Sequence, residues 1–184
     1  MNITRYSTIA AIIVVAALSR FFPHPFNFTP MAAIALFGGA YFTNRWVAFL
    51  VPFTAMLISD IMLELLTGWG FHSGIPVVYG SFALISLLGI FALRKVTILR
   101  VAGTAIASSL IFFLITNFAF LYPEAPVPDP MLGHYPHNWT GIVASYAAGL
   151  EFLRNQIVGD LFYSGMLFGG FHLLQRRFEV LRVA

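Results

Sequence analysis

No cysteine occurs among the 184 residues, so disulfides, thiolate metal sites and a cysteine nucleophile are all excluded. Charge is scarce as well: Asp, Glu, Lys and Arg make up 9% of the chain, against roughly 25% in a soluble domain. A globule of this size would have too few polar side chains to cover its surface. Hydrophobic residues fill the deficit at 59% of the sequence, with 16% aromatic residues and a mean hydropathy of +0.86. Such a chain belongs in a bilayer. The same composition excludes intrinsic disorder, and a dispersed net charge of +3 excludes nucleic acid as a partner.

Several catalytic signatures are missing too. There is no Gly-x4-Gly-Lys-Ser/Thr phosphate loop, no His-Glu-x2-His and no Gly-x-Ser-x-Gly turn. The expectation is therefore a non-enzymatic protein without a resident cofactor. Energy for any transport would come from a partner or a gradient.

What is present is a series of apolar runs cut by proline, glycine or charge. A bilayer core about 30 Å thick takes about 20 apolar residues per helix. The pattern predicts an all-α bundle of six transmembrane helices in one domain over 1–184, with spans at about 6–19, 31–43, 46–67, 76–93, 101–121 and 153–175. Prolines at 23, 25 and 30 separate the first two spans. The second span is short and carries Ala35-x3-Gly39, a small-x3-small pattern that allows close helix approach. Between Gly141 and Leu150 the sequence predicts a separate short surface helix before the sixth span. The first span, although shaped somewhat like a signal peptide, is expected to be retained, because losing it would spoil the charge pattern.

Basic residues set the expected topology. With both termini cytoplasmic, eight of the ten (Arg5, Arg45, Arg94, Lys95, Arg100, Arg176, Arg177 and Arg182) lie inside, and only Arg20 and Arg154 outside. The expected location is a bacterial inner membrane, with lipid as the surroundings.

The outer loops then hold most of the polar and aromatic chemistry. Loop one (20–30) contains His24, Asn27 and Phe28; loop three (68–74) contains Trp69 and His72 and leads to Tyr79; loop five (122–139) contains Glu124, Asp129, His134, His137 and Trp139. Aromatic residues there also suit an interfacial belt. His134-x2-His137, with His24, His72, Asp129 or Glu124, could hold a metal, but the spacing is common and the pair lies among prolines.

Ionisable residues within the spans are more informative, since they are costly in lipid and mark function or pairing. Asp60 and Glu64 share a helix face four residues apart, and Asp160 lies at a comparable depth in the last span, beyond Asn155. These groups suggest an outward-opening polar cavity. They equally suit internal pairing, of Asp60 or Asp160 with Arg154 or Arg20.

Two stretches, Arg20-Phe-Phe-Pro-His-Pro-Phe-Asn-Phe-Thr-Pro-Met-Ala-Ala-Ile-Ala-Leu-Phe-Gly-Gly-Ala-Tyr41 and Val78-Tyr79-Gly-Ser-Phe-Ala-Leu-Ile85, together with Asn155-x4-Asp160-Leu-Phe-Tyr163, resemble an uncharacterised family of small bacterial membrane proteins. The architecture distantly resembles the substrate-binding S components of energy-coupling-factor (ECF) transporters. That resemblance implies capture of a vitamin or similar micronutrient, a small-molecule substrate, from the outer side. It also implies delivery with a coupling subunit and two ATPases, or alone as in the cobalamin-uptake branch. By position, it implies a binding site of His24, Asn27, Phe28, Trp69, His72, Tyr79, His137, Trp139, Asn155 and Asp160, to which the buried-charge argument adds Asp60. One departure concerns helix one, where Ser7-x3-Ala11 leads to Val15 and not to a further alanine. Alternatives are a non-catalytic subunit of a larger membrane assembly, packing through Gly165-x3-Gly169, and an integral membrane enzyme.

Overall fold

The computed structural model describes residues 3–68, 70–131 and 133–182. Six α-helices make up the bundle: α1 (Ile3–Leu18), α2 (Met31–Tyr41), α3 (Arg45–Thr67), α4 (Ile75–Ala92), α5 (Ile98–Thr116) and α6 (Trp139–Arg177). Among the described residues the only β pairing is two isolated bridges within loop five. Five of the helices are long and apolar enough to cross a membrane, and α2 is the exception.

Local chemistry explains the helix ends. Asn44, Thr97 and Asn138 accept hydrogen bonds from backbone N–H groups in the first turns of α3, α5 and α6. Gly68 closes α3 at φ 72°, where its N–H bonds the Glu64 carbonyl. Pro76 lies in the first turn of α4, where the missing N–H costs nothing.

α2 is the centre of the bundle. It has 11 residues, about 16 Å of helix, roughly half the bilayer core. Residues 31–39 and Tyr41 are all buried, because α3, α4 and α6 close around it with α1 and α5 behind. A helix apolar on every side belongs in such a position. Two adjacent glycines make the contact possible. A Cβ on Gly38 would come within 2.6 Å of Pro52 on α3, and one on Gly39 within 2.6 Å of the Ser86 carbonyl on α4. From the other side, Gly89 lets α4 meet the Leu36 backbone. Gly38 and Gly39 thus face two partner helices at once.

The outer helices invert the soluble pattern. Leu50, Leu65, Ile98, Leu99, Val158 and Met166 all face outward, with Ile98 91% exposed. Apolar residues facing out around a core with polar members are what lipid as solvent selects.

Three sequence expectations need correction. The separate surface helix at 141–150 does not exist: α6 runs unbroken for 39 residues, about 58 Å. Gly149 does not end it but lets it abut α5, where a Cβ would lie 2.3 Å from Asn117 Oδ1. The fifth span stops at Thr116 and not near 121, because the Asn117 carbonyl is taken by Ser145 Oγ of α6 at 2.8 Å. The second span ends at Tyr41.

The chain's vertical order follows from side-chain contacts. Tyr6 near the start of α1 hydrogen-bonds Thr43 just past α2, and Tyr41 packs its ring against Phe171 late in α6. Phe28, just before α2, sits over Gly159 of α6. The start of α1 and the end of α6 therefore lie at one end of the bundle, and loops one, three and five gather at the other.

Candidate functional site

Loop one is exposed from Phe22 to Asn27 and turns inward at Phe28. A tight turn closes with Phe28 N–H donating to the Pro25 carbonyl at 3.0 Å, and Asn27 takes φ 60°. Asparagine is one of the few residues with a side chain that enter this left-handed region readily. The turn drives Phe28 against Phe162 and Tyr163. Gly159 gives it room: a Cβ there would lie 3.1 Å from Phe28 Cα, a tight contact. Phe28 and Thr29 are partly covered and Pro30 is buried, so the irregular backbone passes into cover only as it reaches α2.

Two carboxylates lie below the loops, in different settings. Asp60 of α3 is 4% exposed and fully engaged. Arg20 Nη1 donates to its Oδ1 at 2.5 Å and to Ser59 Oγ at 2.5 Å, while Tyr79 Oη donates to its Oδ2 at 2.6 Å. The pair joins the end of α1 to α3 and α4, which is the internal pairing the sequence allowed for Arg20. Glu64, one turn on, is spent on loop three: its Oε2 accepts from the Gly70 and Phe71 N–H groups, both at 3.0 Å. Loop three folds back so tightly that a Cβ on Gly70 would overlap the Asp60 carbonyl oxygen.

Asp160 of α6 is 2% exposed. Its Oδ2 accepts from Ser109 Oγ of α5 at 2.6 Å, and Gln156 lies one turn earlier on the same face. No cation pairs with it among the described residues, whose salt bridges are Arg20–Asp60 and Arg182–Glu179. The carboxylate lines a cavity of about 30 Å³ together with Asn27, Thr29 and Gln156, walled by Phe82 and Phe112 and floored by Ala32 in the first turn of α2. A space of that size accommodates about one water molecule.

Loop five forms a roof. His137 Nε2 donates to the Tyr122 carbonyl at 3.0 Å, its backbone N–H donates to Glu124 Oε1 at 3.1 Å, and its ring stacks on Phe120. Asp129 and His134 exchange backbone hydrogen bonds around Gly133, which has φ 69°. Tyr122 Oη donates to the Thr116 carbonyl at 2.7 Å. Burial raises the Tyr122 phenol above its usual pKa, and burial followed by the nearby Asp129 charge raises that of Tyr135. Loops three and five touch, since a Cβ on Gly74 would lie 3.3 Å from the Tyr122 ring.

The sequence-predicted residues therefore separate into groups. Asn27 and Asp160 share the cavity, and Phe28 packs beside it. Asp60 and Tyr79 belong to the ion-pair cluster. His24 and His72 are exposed and hydrogen-bond their own loops, and His137 braces loop five. No three His, Asp or Glu side chains converge to hold a metal among the described residues. Trp139 is 77% exposed at the start of α6. Asn155 is half-buried and does not line the cavity. Trp69 lies outside the described residues. Sequence reasoning missed Gln156, Ser109 and Thr29. For Gln156 the signal was its spacing of four from Asp160.

The buried acid, loop one and the short central helix are all parts of one stretch of sequence that a single family model covers, over residues 1–181. The chain belongs to DUF6580, a family of unknown function. The match spans nearly the whole chain, so the central α2, both aspartates and loop five all fall within the family's extent. No curated protein and no solved structure matches the chain.

Proposed function

We propose that the protein is a multi-pass membrane protein that binds and transports a small solute, taking it from the side where loops one, three and five gather. The observation that carries this reading is Asp160: a carboxylate buried without a counter-cation among the described residues, beside a cavity that the end of loop one helps to line. Intramembrane charges of this kind mark substrate or ion pathways. Transporter sites commonly form where a discontinuous helix meets irregular backbone inside the bundle, the arrangement of loop one and α2.

The charge bias supports an orientation with this side outside and both termini in the cytoplasm of a bacterial inner membrane. The architectural likeness to ECF S components supports a vitamin-sized micronutrient, cobalamin among them, delivered with a coupling subunit and ATPases or by the protein alone. Pockets for such molecules measure roughly 300–1,000 Å³, so the cavity described here is a closed form. Loading would require loop one to lift from Gly159.

The test is a thermal-stability screen of the detergent-purified protein against vitamins and related micronutrients, followed by uptake into proteoliposomes. A ligand that binds the native state raises the melting temperature. The transport reading fails if no compound stabilises the protein and if D160N, N27A and wild type support the same solute-dependent growth.

A second reading, a non-catalytic subunit of a membrane assembly, is favoured by α6, where Gly165, Gly169 and Gly170 have open space beside them. Small-residue faces of this kind suit close packing against another helix in lipid. The two readings are compatible, because a coupling subunit would need such a face.

A further inference from the structure

We infer that the Asp160 cavity is a binding site for a single alkali cation of about the size of Na+. The site stands on geometry alone, while its role in coupling uptake to a cation gradient rests on the transport reading above.

Four observations carry it. The cavity holds about one water-sized guest, at about 30 Å³. Four of its lining residues carry side-chain oxygen, Asp160, Asn27, Gln156 and Thr29, and Ser109 Oγ donates to the Asp160 carboxylate. Oxygen donors without thiolate or imidazole suit hard cations and not transition metals. The formal charge is a single negative one on a side chain that is 2% exposed, with no Arg, Lys or His paired to it among the described residues.

Charge also selects valence. The first turn of α2 reaches the cavity through Ala32, and a helix N-terminus contributes about half a positive charge. That is too little to neutralise a carboxylate and enough to disfavour a divalent ion, which would leave a net excess of buried positive charge. One monovalent cation leaves about half a positive charge, against about one and a half for a divalent ion. Asp60 offers no comparable place, because Arg20 already occupies its Oδ1 and Tyr79 its Oδ2.

The experiment is a melting-temperature titration of the detergent-purified protein with NaCl, choline chloride holding ionic strength constant and KCl and MgCl2 as comparators. A saturable rise of roughly 5–10 °C is expected at about a hundredfold excess of Na+ over its dissociation constant, with smaller responses to K+ and Mg2+. D160N should abolish the response. Because that variant could fold poorly, T29V and Q156A provide a second route: each keeps the carboxylate and should raise the half-maximal Na+ concentration about tenfold. The inference is overturned if the melting temperature depends on ionic strength alone, if D160N keeps the Na+ response, or if lowering the pH in choline gives the full stabilisation and Na+ adds nothing. The last outcome would make the occupant a proton. The two readings fail separately: Na+ binding without any stabilising solute sinks transport and leaves the cation site, and solute binding indifferent to Na+ does the reverse.

Discussion

Asp60 and Asp160 are buried to nearly the same degree, 4% and 2% exposed, yet their surroundings assign them opposite roles. Asp60 is saturated by a guanidinium on one oxygen and a phenol on the other, and it ties three helices together. Asp160 receives a neutral hydroxyl and faces an opening. Burial alone therefore does not distinguish a structural charge from a functional one; the distinction lies in whether the charge is balanced by the protein itself.

That contrast can be broken by mutation. Arg20→Ala should have the largest effect, since it leaves a buried carboxylate without its cation, at a cost of about 3–5 kcal/mol. Much of that loss should be recovered in the double variant R20A/D60N. Thermal or denaturant unfolding in detergent measures both, and a cost under 1 kcal/mol for R20A would mean that Asp60 is not held by the pair. Tyr79→Phe removes one hydrogen bond to a charged acceptor and should cost about 1.5–3 kcal/mol. Asp160→Asn should behave differently: it removes a charge that no protein cation balances, so stability in Na+-free buffer should stay within about 1 kcal/mol of wild type. If D160N proves as destabilising as R20A, the two aspartates are not different in kind.

The contact between loop one and α6 offers a smaller perturbation. Phe26 packs edge-on against Phe152, with ring centroids 6.1 Å apart. The absence of native cysteine means that F26C/F152C carries the only two thiols in the protein. Bridging them with a short bis-maleimide should reduce solute uptake at least tenfold and leave the melting temperature of the unliganded protein within a few degrees. Unchanged uptake in the bridged protein would show that loop one need not move.

The sequence conveyed the all-α class, apolar helices long enough to cross a membrane and the burial of both aspartates, because these follow from composition and from the cost of charge in an apolar setting. It also allowed for the Arg20–Asp60 pair, though not for its choice over Arg154. Other features were hidden for specific reasons. Asn155 was an attractive choice as a polar residue near Asp160, but five residues back places it off that face, and Gln156 at four back holds the position. Ser109 belongs to another helix, and its role depends on the α5–α6 contact. The break expected near Leu150 failed because α6 is continuous, with Gly149 in a packing contact with Asn117 that only the folded chain defines.

The smallest effect tests how far each aspartate's influence reaches. Asp60 connects to the roof by a chain of contacts: its backbone carbonyl meets Gly70, loop three continues to Gly74, and Gly74 touches Tyr122. Asp160 reaches loop five along the continuous α6 and not through loop three. The Tyr122 and Tyr135 phenols are held neutral above their usual pKa by burial, aided for Tyr135 by Asp129. For an acid whose folded pKa is raised, the contribution to stability is complete below the unfolded value near 10 and is lost as pH rises from there through the folded value. Ultraviolet absorbance of phenolate should therefore show at least two tyrosines titrating late, with the melting temperature falling over the same alkaline window. Arg20→Ala should shift that fall to lower pH by loosening the end of α3 that supports loop three. Asp160→Asn should leave it in place, and a shift equal to that of R20A would show that the roof is anchored through both aspartates and not through Asp60 alone.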